Sequence, residues 1–433
     1  MRELVWVMRN NLDLSFIQVM PGEWVVLKPN LVKQSKETDP QEWRSVITDP
    51  ILICRVCEEV CKKLKGRGRV TICDAPQTDS SFTEIASRLG LRELARDCSR
   101  RFSVPVEVID LRNEEWVSEE GVITERRKLP GDPEGVIAFN LGRDSLFYNY
   151  SGEGRYYGAD YDAGVVNSHH QGEIQEYLLC ATPIKADVFI NLPKLKTHKK
   201  TGVTLNLKNL VGINADKNWL PHHTEGSPKT GGDEYPDLSL KTRIERISVK
   251  ATRQIALHLP YLGPKIAKRL RQVGTTVFGD GHSTIRSGNW HGNDTTWRMV
   301  LDLNRCLLWG QPDGTLARPD KKRYYCLIDG LIGMEGMGPM QGDPVESHVT
   351  IGGSDPVAVD MVAARVMGFD WRRIPMINNA FTLPTLPITD CRPEDVEVIS
   401  DITEWNGRFL NIENRDFLAF APHFGWRGHI EYP

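Results

Sequence analysis

The sequence predicts an α/β fold, a mostly parallel sheet flanked by helices, built either as two lobes or as one lobe with a large helical insertion. Three observations lead there. Short β-branched runs alternate with segments of helical period, the pattern of βαβ units. The chain has 433 residues, more than one ordinary compact domain. Polar residues gather where the apolar runs end, and open parallel sheets hold their ligands beyond the carboxyl ends of strands.

The strand candidates are Glu23–Leu31 (EWVVLKPNL), Arg69–Pro76, Val106–Leu111, Asp187–Lys194, Tyr324–Gly330 and Glu346–Gly353. Between them, Pro50–Lys65, Phe82–Cys98, Glu173–Thr182 and Asp355–Gly368 have helical period. In the last of these, Asp355 suits the N-cap, Pro356 the first turn, and Gly368 the position just past the end. Residues Tyr148–Gln171 read as an ordered excursion, and Lys217–Leu238 as a long functional loop. The organisation expected is an N-terminal α/β lobe over 1–150 and a continuation with a lysine-rich segment and the long loop over 151–240. A basic helical insertion with a Trp/Asn loop follows over 241–310, and a C-terminal α/β part over 311–433.

Apolar residues make up 40% of the chain and charged residues 26%, enough to bury a large core without disulfide staples. The net charge of −3 gives no global basic field, so no nucleic-acid partner is expected. The opening MRELVWVMRNNLDLSF lacks the apolar core of a signal peptide. No run reaches the roughly 18 apolar residues that would read as a transmembrane segment. Nine cysteines, an odd number, do not read as a disulfide framework. Together these features predict a cytoplasmic protein. One stretch stands apart. Between 241 and 271, Lys241, Arg243, Arg246, Lys250, Arg253, Lys265, Lys268, Arg269 and Arg271 face a single acid, Glu245. A solvated helical insertion is the favoured reading, and a membrane-surface or acidic-protein contact the sharper one.

Strand ends deliver Lys28 and Asn30, then Asp74, Asp110, and Asn191 with Lys194, Lys196 and His198, and finally Asp329. The strongest stretch is Asn191–Gly212, NLPKLKTHKKTGVTLNLKNLVG. In an extended chain Lys194, Lys196 and His198 point to one side. The chain then turns at Thr201–Gly202 into a helix, where Thr204 and Lys208 share a face, with Asn209 beside them. A helix N-terminus near several lysines is suited to phosphate or carboxylate. A solvated lysine turn is the alternative, less favoured because the run leaves an apolar strand directly. Ligand contacts are therefore expected from Lys28, Asn30, Asn191, Thr204, Lys208 and Asn209, and proton transfer from His198, Lys196 or Lys194.

The glycine-rich Asp329–Gly342 (DGLIGMEGMGPMQG) has two readings. Asp329 and Glu335 hold a divalent metal, or the stretch is a tight loop with Met334, Met337 and Met340 as filler. Adjacent histidines, His169–His170 and His222–His223, point different ways, which disfavours a shared metal. In GNWHGNDTTWR, Asn289, Trp290 and Asn293 could grip a flat polar ligand, closing over the site, with Asp294 as a helix cap. Gly-x-Ser-x-Gly, His-Glu-x-x-His and Walker signatures are absent from the sequence.

Four segments in order, VVLKPNL, Asn191–Gly212, Asp329–Gly342 and SDPVAVD at Ser354–Asp360, resemble the domain-of-unknown-function 362 family, and the resemblance runs from Trp24 to Ile377. It implies no catalytic residues. Some relatives carry a ferredoxin-like cysteine module, but this chain departs from that spacing. Cys54, Cys57 and Cys61 fall on one helical face and read as core, so no iron–sulfur cluster is expected. The cofactor stays unknown, with a divalent metal open. Three functions remain, in this order: an enzyme acting on an anionic small molecule, a metal or iron–sulfur redox protein, and a non-catalytic partner in a biosynthetic assembly.

Overall fold

The computed structural model describes residues 2–119, 122–158, 162–237, 284–411 and 417–432. The basic stretch between 241 and 271 lies outside the described residues, and with it both of its readings, the favoured solvated insertion and the membrane-surface or protein contact.

Nine strands matter for the site: β1 (Glu3–Met8), β2 (Trp24–Pro29), β3 (Arg69–Asp74), β4 (Val106–Asp110), β5 (Val188–Leu192), β6 (Lys194–His198), β7 (Arg323–Glu335), β8 (Val349–Gly353) and β9 (Val396–Ser400). Eight of them line up as β9-β1-β8-β7-β5-β2-β3-β4. Within this row only β8 runs against the others. β6 continues β5 along the far half of β7, after Pro193 interrupts the ladder. The first strand therefore sits between two of the last, and one sheet draws on residues from 3 to 408.

Both faces of this sheet are covered, which is why its strands read as nearly continuous apolar runs. Val25, Leu27, Val70, Ile72, Val188 and Ile190 face one core, under α1 (Pro50–Leu64), α2 (Phe82–Arg88) and α3 (Leu91–Phe102). Val26, Cys73, Phe189, Tyr324 and Cys326 face the other, packed with α4 (Leu205–Asn209), α5 (Thr296–Trp309) and α6 (Pro356–Val366). The alternation along a strand decides which core each side chain enters. It places Lys28 and Asn191 on the second face.

Helix ends follow their local chemistry. Asp49 caps α1 by accepting from the Ile51 N–H at 2.9 Å. Asp355 caps α6 by accepting from Val357 and Ala358, at 2.9 and 3.0 Å. Cys57 and Cys61 are buried on the inner face of α1, as core.

Several expectations need correcting. Glu173–Thr182 is not a helix. Ile174–Cys180 is a strand paired antiparallel with Val136–Asn140, because Gln175, Tyr177 and Leu179 are buried in alternation, a period of two. Phe82–Cys98 is two helices, broken where Gly90 adopts φ +61°. The segment from Asp329 is first strand, not loop: β7 runs on to Glu335. Gly330, Gly333, Gly338 and Gly342 admit neighbouring protein. A Cβ on Gly330 would lie 2.8 Å from both Leu195 Cδ2 and the Val349 carbonyl. Asp294 does not cap the helix from Thr296: its carboxylate accepts from Trp297 Nε1 and Arg298, while Asn293 Oδ1 accepts from the Thr295 and Thr296 N–H groups at 3.2 and 2.8 Å. No helix among the described residues is long and apolar enough to cross a membrane.

Candidate functional site

The chain runs from β2 through β3 to β4 on one side, then returns to place β5 on the other side of β2. That reversal opens a crevice at the carboxyl ends of β2 and β5, the position where doubly wound sheets bind ligands. A cavity of about 850 Å3 lies there. Its wall includes Lys28, Lys33, Lys196, Lys199, Lys200, Lys208 and Lys217, with His198, His222 and His223, against three acids, Glu37, Asp74 and Asp79.

The acids are already engaged by two of these lysines. Lys28 Nζ lies 2.7 Å from Asp74 Oδ1 in a buried ion pair. Lys33 contacts Glu37 at 2.7 Å and Asp79 at 3.1 Å. Lys28 also donates to Asn209 Oδ1 at 3.2 Å. From there a directed chain of amides crosses the floor. Lys196 Nζ donates to Asn30 Oδ1 at 2.8 Å and to the Val46 carbonyl at 2.8 Å. Asn30 Nδ2 donates to Asn209 Oδ1 at 2.8 Å. Asn209 Nδ2 donates to Asn191 Oδ1 at 2.7 Å. Asn191 Nδ2 then donates to the Asn206 carbonyl and to Tyr324 Oη. Each amide uses both ends, which locks its orientation. Gly212 completes the floor, because a Cβ there would lie 2.0 Å from Asp74 Oδ1 and 2.6 Å from Lys28 Nζ.

Lys196, Lys199 and Lys208 have no carboxylate in ion-pair contact among the described residues. Burial, reinforced by the neighbouring lysines, drives the Lys196 amine well below its ordinary range. Burial also lowers Lys199. Lys208 is brought down to about 7, by burial first and then by Lys217, Lys28 and Lys199.

Two of the three cavity histidines, His198 and His222, are opposite tautomers. His198 Nδ1 accepts from the Lys200 N–H at 3.1 Å, which leaves its proton on Nε2. His222 Nδ1 lies 2.9 Å from the Leu220 carbonyl and donates to it, which leaves a lone pair on Nε2. Burial and the surrounding lysines hold both rings neutral. The cavity thus offers a neutral N–H donor and a neutral nitrogen acceptor within a cationic wall.

The expected residues separate into groups. Lys28, Asn30, Lys196, His198, Thr204, Lys208 and Asn209 all line the cavity, and Asn191 braces Asn209 from beneath. Lys194 is not in the lining. Its Nζ pairs with Asp329 Oδ2 at 2.8 Å, and neither side chain reaches solvent. Asp329 also accepts from the Asp49 and Leu331 N–H groups, which ties α1 to the sheet. Glu335 accepts from the Ala421 N–H at 2.7 Å. Asp329 and Glu335 thus serve separate protein donors. No group of three His, Cys, Asp or Glu residues suited to a metal ion occurs among the described residues. Asn289, Trp290 and Asn293 stand behind the wall rather than over it. Trp290 Nε1 donates to the Asp233 carbonyl, and Asn293 Nδ2 to the His222 carbonyl, so they brace the loop that carries His222.

The anion expected at the helix N-terminus is supplied by the protein. Asp360 accepts from the Asn206 N–H at 2.8 Å, from Asn206 Nδ2 at 2.8 Å and from the Leu207 N–H at 3.0 Å. Leu205 at φ +49° opens this short helix, so Thr204 lies outside its regular turns. Lys199, Lys217 and His222 also line the cavity; Lys199 belongs to the lysine-rich Asn191–Gly212 stretch, and Lys217 and His222 to the long loop from Lys217.

A family model described as Domain of unknown function (DUF362) matches residues 25–132 and 122–365, spanning every element of the cavity wall described above. No curated protein and no solved structure matches the chain.

Proposed function

Since the chain belongs to the DUF362 family, whose description assigns no reaction, we propose from the cavity itself that this protein is an enzyme acting on a small phosphorylated or carboxylated molecule. One observation carries the reading: Lys196, Lys199 and Lys208 line the same cavity with no protein carboxylate paired to them among the described residues. Clustered, desolvated cations disfavour one another, and a bound anion is the partner that relieves them. The volume fits a metabolite-sized ligand.

The reaction proposed is a proton relocation on that ligand. Lysines hold its anionic group, His222 Nε2 accepts a proton, and His198 Nε2–H donates a hydrogen bond to the oxygen where charge develops. Lys194, bound to Asp329, takes no part.

Thermal unfolding with inorganic pyrophosphate, citrate and glucose tests it. The two anions are expected to raise Tm, about 2.7 kcal/mol of stabilisation at a hundredfold excess over Kd, and glucose is not. The gain should fall with added salt and disappear in Lys196→Met. Equal behaviour of anions and glucose would overturn the reading.

A further inference from the structure

We infer that Lys208 is the amine through which this cavity captures a carbonyl compound, forming an imine between its Nζ and an aldehyde or ketone that also carries a phosphate or carboxylate. The inference rests on the anion-binding reading and names the ligand class.

Lys208 differs from the other cavity lysines. Lys28 is held by Asp74, and Lys196 by Asn30 and Val46. Lys199 is half-buried. Lys208 is only 8% exposed, and among the described residues nothing accepts a hydrogen bond from its Nζ. A second buried polar group in the lining has no partner either: the Thr204 hydroxyl, in a residue 4% exposed. A buried amine and a buried hydroxyl left without partners in one cavity await a ligand that uses both. Burial first, and then the neighbouring lysines, keep a large share of Lys208 neutral near pH 7, and the neutral amine is the nucleophile.

The step balances without an outside reagent. The Nζ lone pair attacks the carbonyl carbon, and the C=O π pair moves to oxygen. His222 Nε2 takes one proton from nitrogen and returns it to that oxygen, giving a neutral carbinolamine. Thr204 Oγ–H and His198 Nε2–H hydrogen-bond the oxygen. The nitrogen lone pair then expels it, the second N–H proton leaves with it as water, and the C=N bond forms. No electrons are gained or lost.

The full chain is incubated with pyridoxal 5′-phosphate, a phosphorylated aldehyde, reduced with borohydride, and mapped by peptide mass spectrometry. Pyridoxine 5′-phosphate carries the same phosphate with an alcohol in place of the aldehyde, and its binding is measured by calorimetry. The expected result is one adduct per chain on Lys208, blocked by pyridoxine 5′-phosphate. Lys208→Arg should lose the adduct. Should that variant not fold, the mapped position in the wild-type chain decides. Binding of pyridoxine 5′-phosphate with no adduct on Lys208, or with label spread over exposed lysines, overturns the imine and leaves the anion site standing. Binding of neither compound overturns both.

Discussion

Replacing Lys208 by Met should stabilise the unliganded fold while weakening anion binding. Met keeps most of the apolar stem and removes the charge. In the folded chain the amine falls from its ordinary 10.5 to about 7. At about 1.36 kcal/mol per pH unit, the fold carries a penalty of up to about 5 kcal/mol wherever the unfolded chain would hold that proton and the folded chain resists it. The sign follows from the depressed folded value. The penalty is full below about pH 7, shrinks as pH rises, and vanishes near 10.5. Urea unfolding at pH 6, 7, 8 and 9 should therefore find Lys208→Met more stable at pH 6, with the gap reduced to about 2 kcal/mol at pH 9. Calorimetry with inorganic pyrophosphate should show the opposite ranking, with affinity reduced at least about tenfold, or 1.4 kcal/mol. A variant less stable than wild type at pH 6, or a gap that does not change with pH, would refute the assignment of a desolvated, unpartnered amine.

Three further outcomes follow from named contacts. Asp329→Asn leaves the Lys194 ammonium buried without its counter-charge and should cost about 3–5 kcal/mol in urea unfolding, whereas Lys194→Met with Asp329→Leu should be far milder. Gly212→Ala would drive a Cβ into the Lys28–Asp74 pair; a roughly tenfold or larger loss of pyrophosphate affinity is expected by calorimetry, and unchanged affinity would place that pair outside the binding surface. His170, buried among Phe147, Tyr156 and Tyr177, is lowered to about 4 by burial. Its contribution is present above pH 6.5 and lost as pH falls toward 4, up to about 3 kcal/mol, so His170→Gln should move the acid-unfolding midpoint, followed by circular dichroism, to lower pH.

Much of the frame is legible in the sequence. Apolar runs ending in Lys28, Asp74 and Asn191 marked strands and the end of the sheet where ligands collect, because strand chemistry is local and side chains alternate. Asp355 and Pro356 announced the start of α6 for the same reason. Short amphipathic stretches were harder. Glu173–Thr182 fits a helical period on paper, and its pairing with Val136–Asn140, over thirty residues upstream, is what made it a strand. Sequence spacing also grouped Lys194 with Lys196 and His198. The tertiary structure separates them, since Asp329, 135 residues away, claims the first.

The sequence alone sufficed for the fold class, the sheet's polar end, the family resemblance and the lysine-rich segment, all properties of residues close along the chain. It could not decide which lysines keep a counter-charge, which tautomer each histidine adopts, or that the Asp360 carboxylate already occupies the helix N-terminus beside the site. Those depend on partners far apart in sequence, and a side chain's charge and basicity are set by what surrounds it in space, within a few ångströms, rather than by its neighbours along the chain.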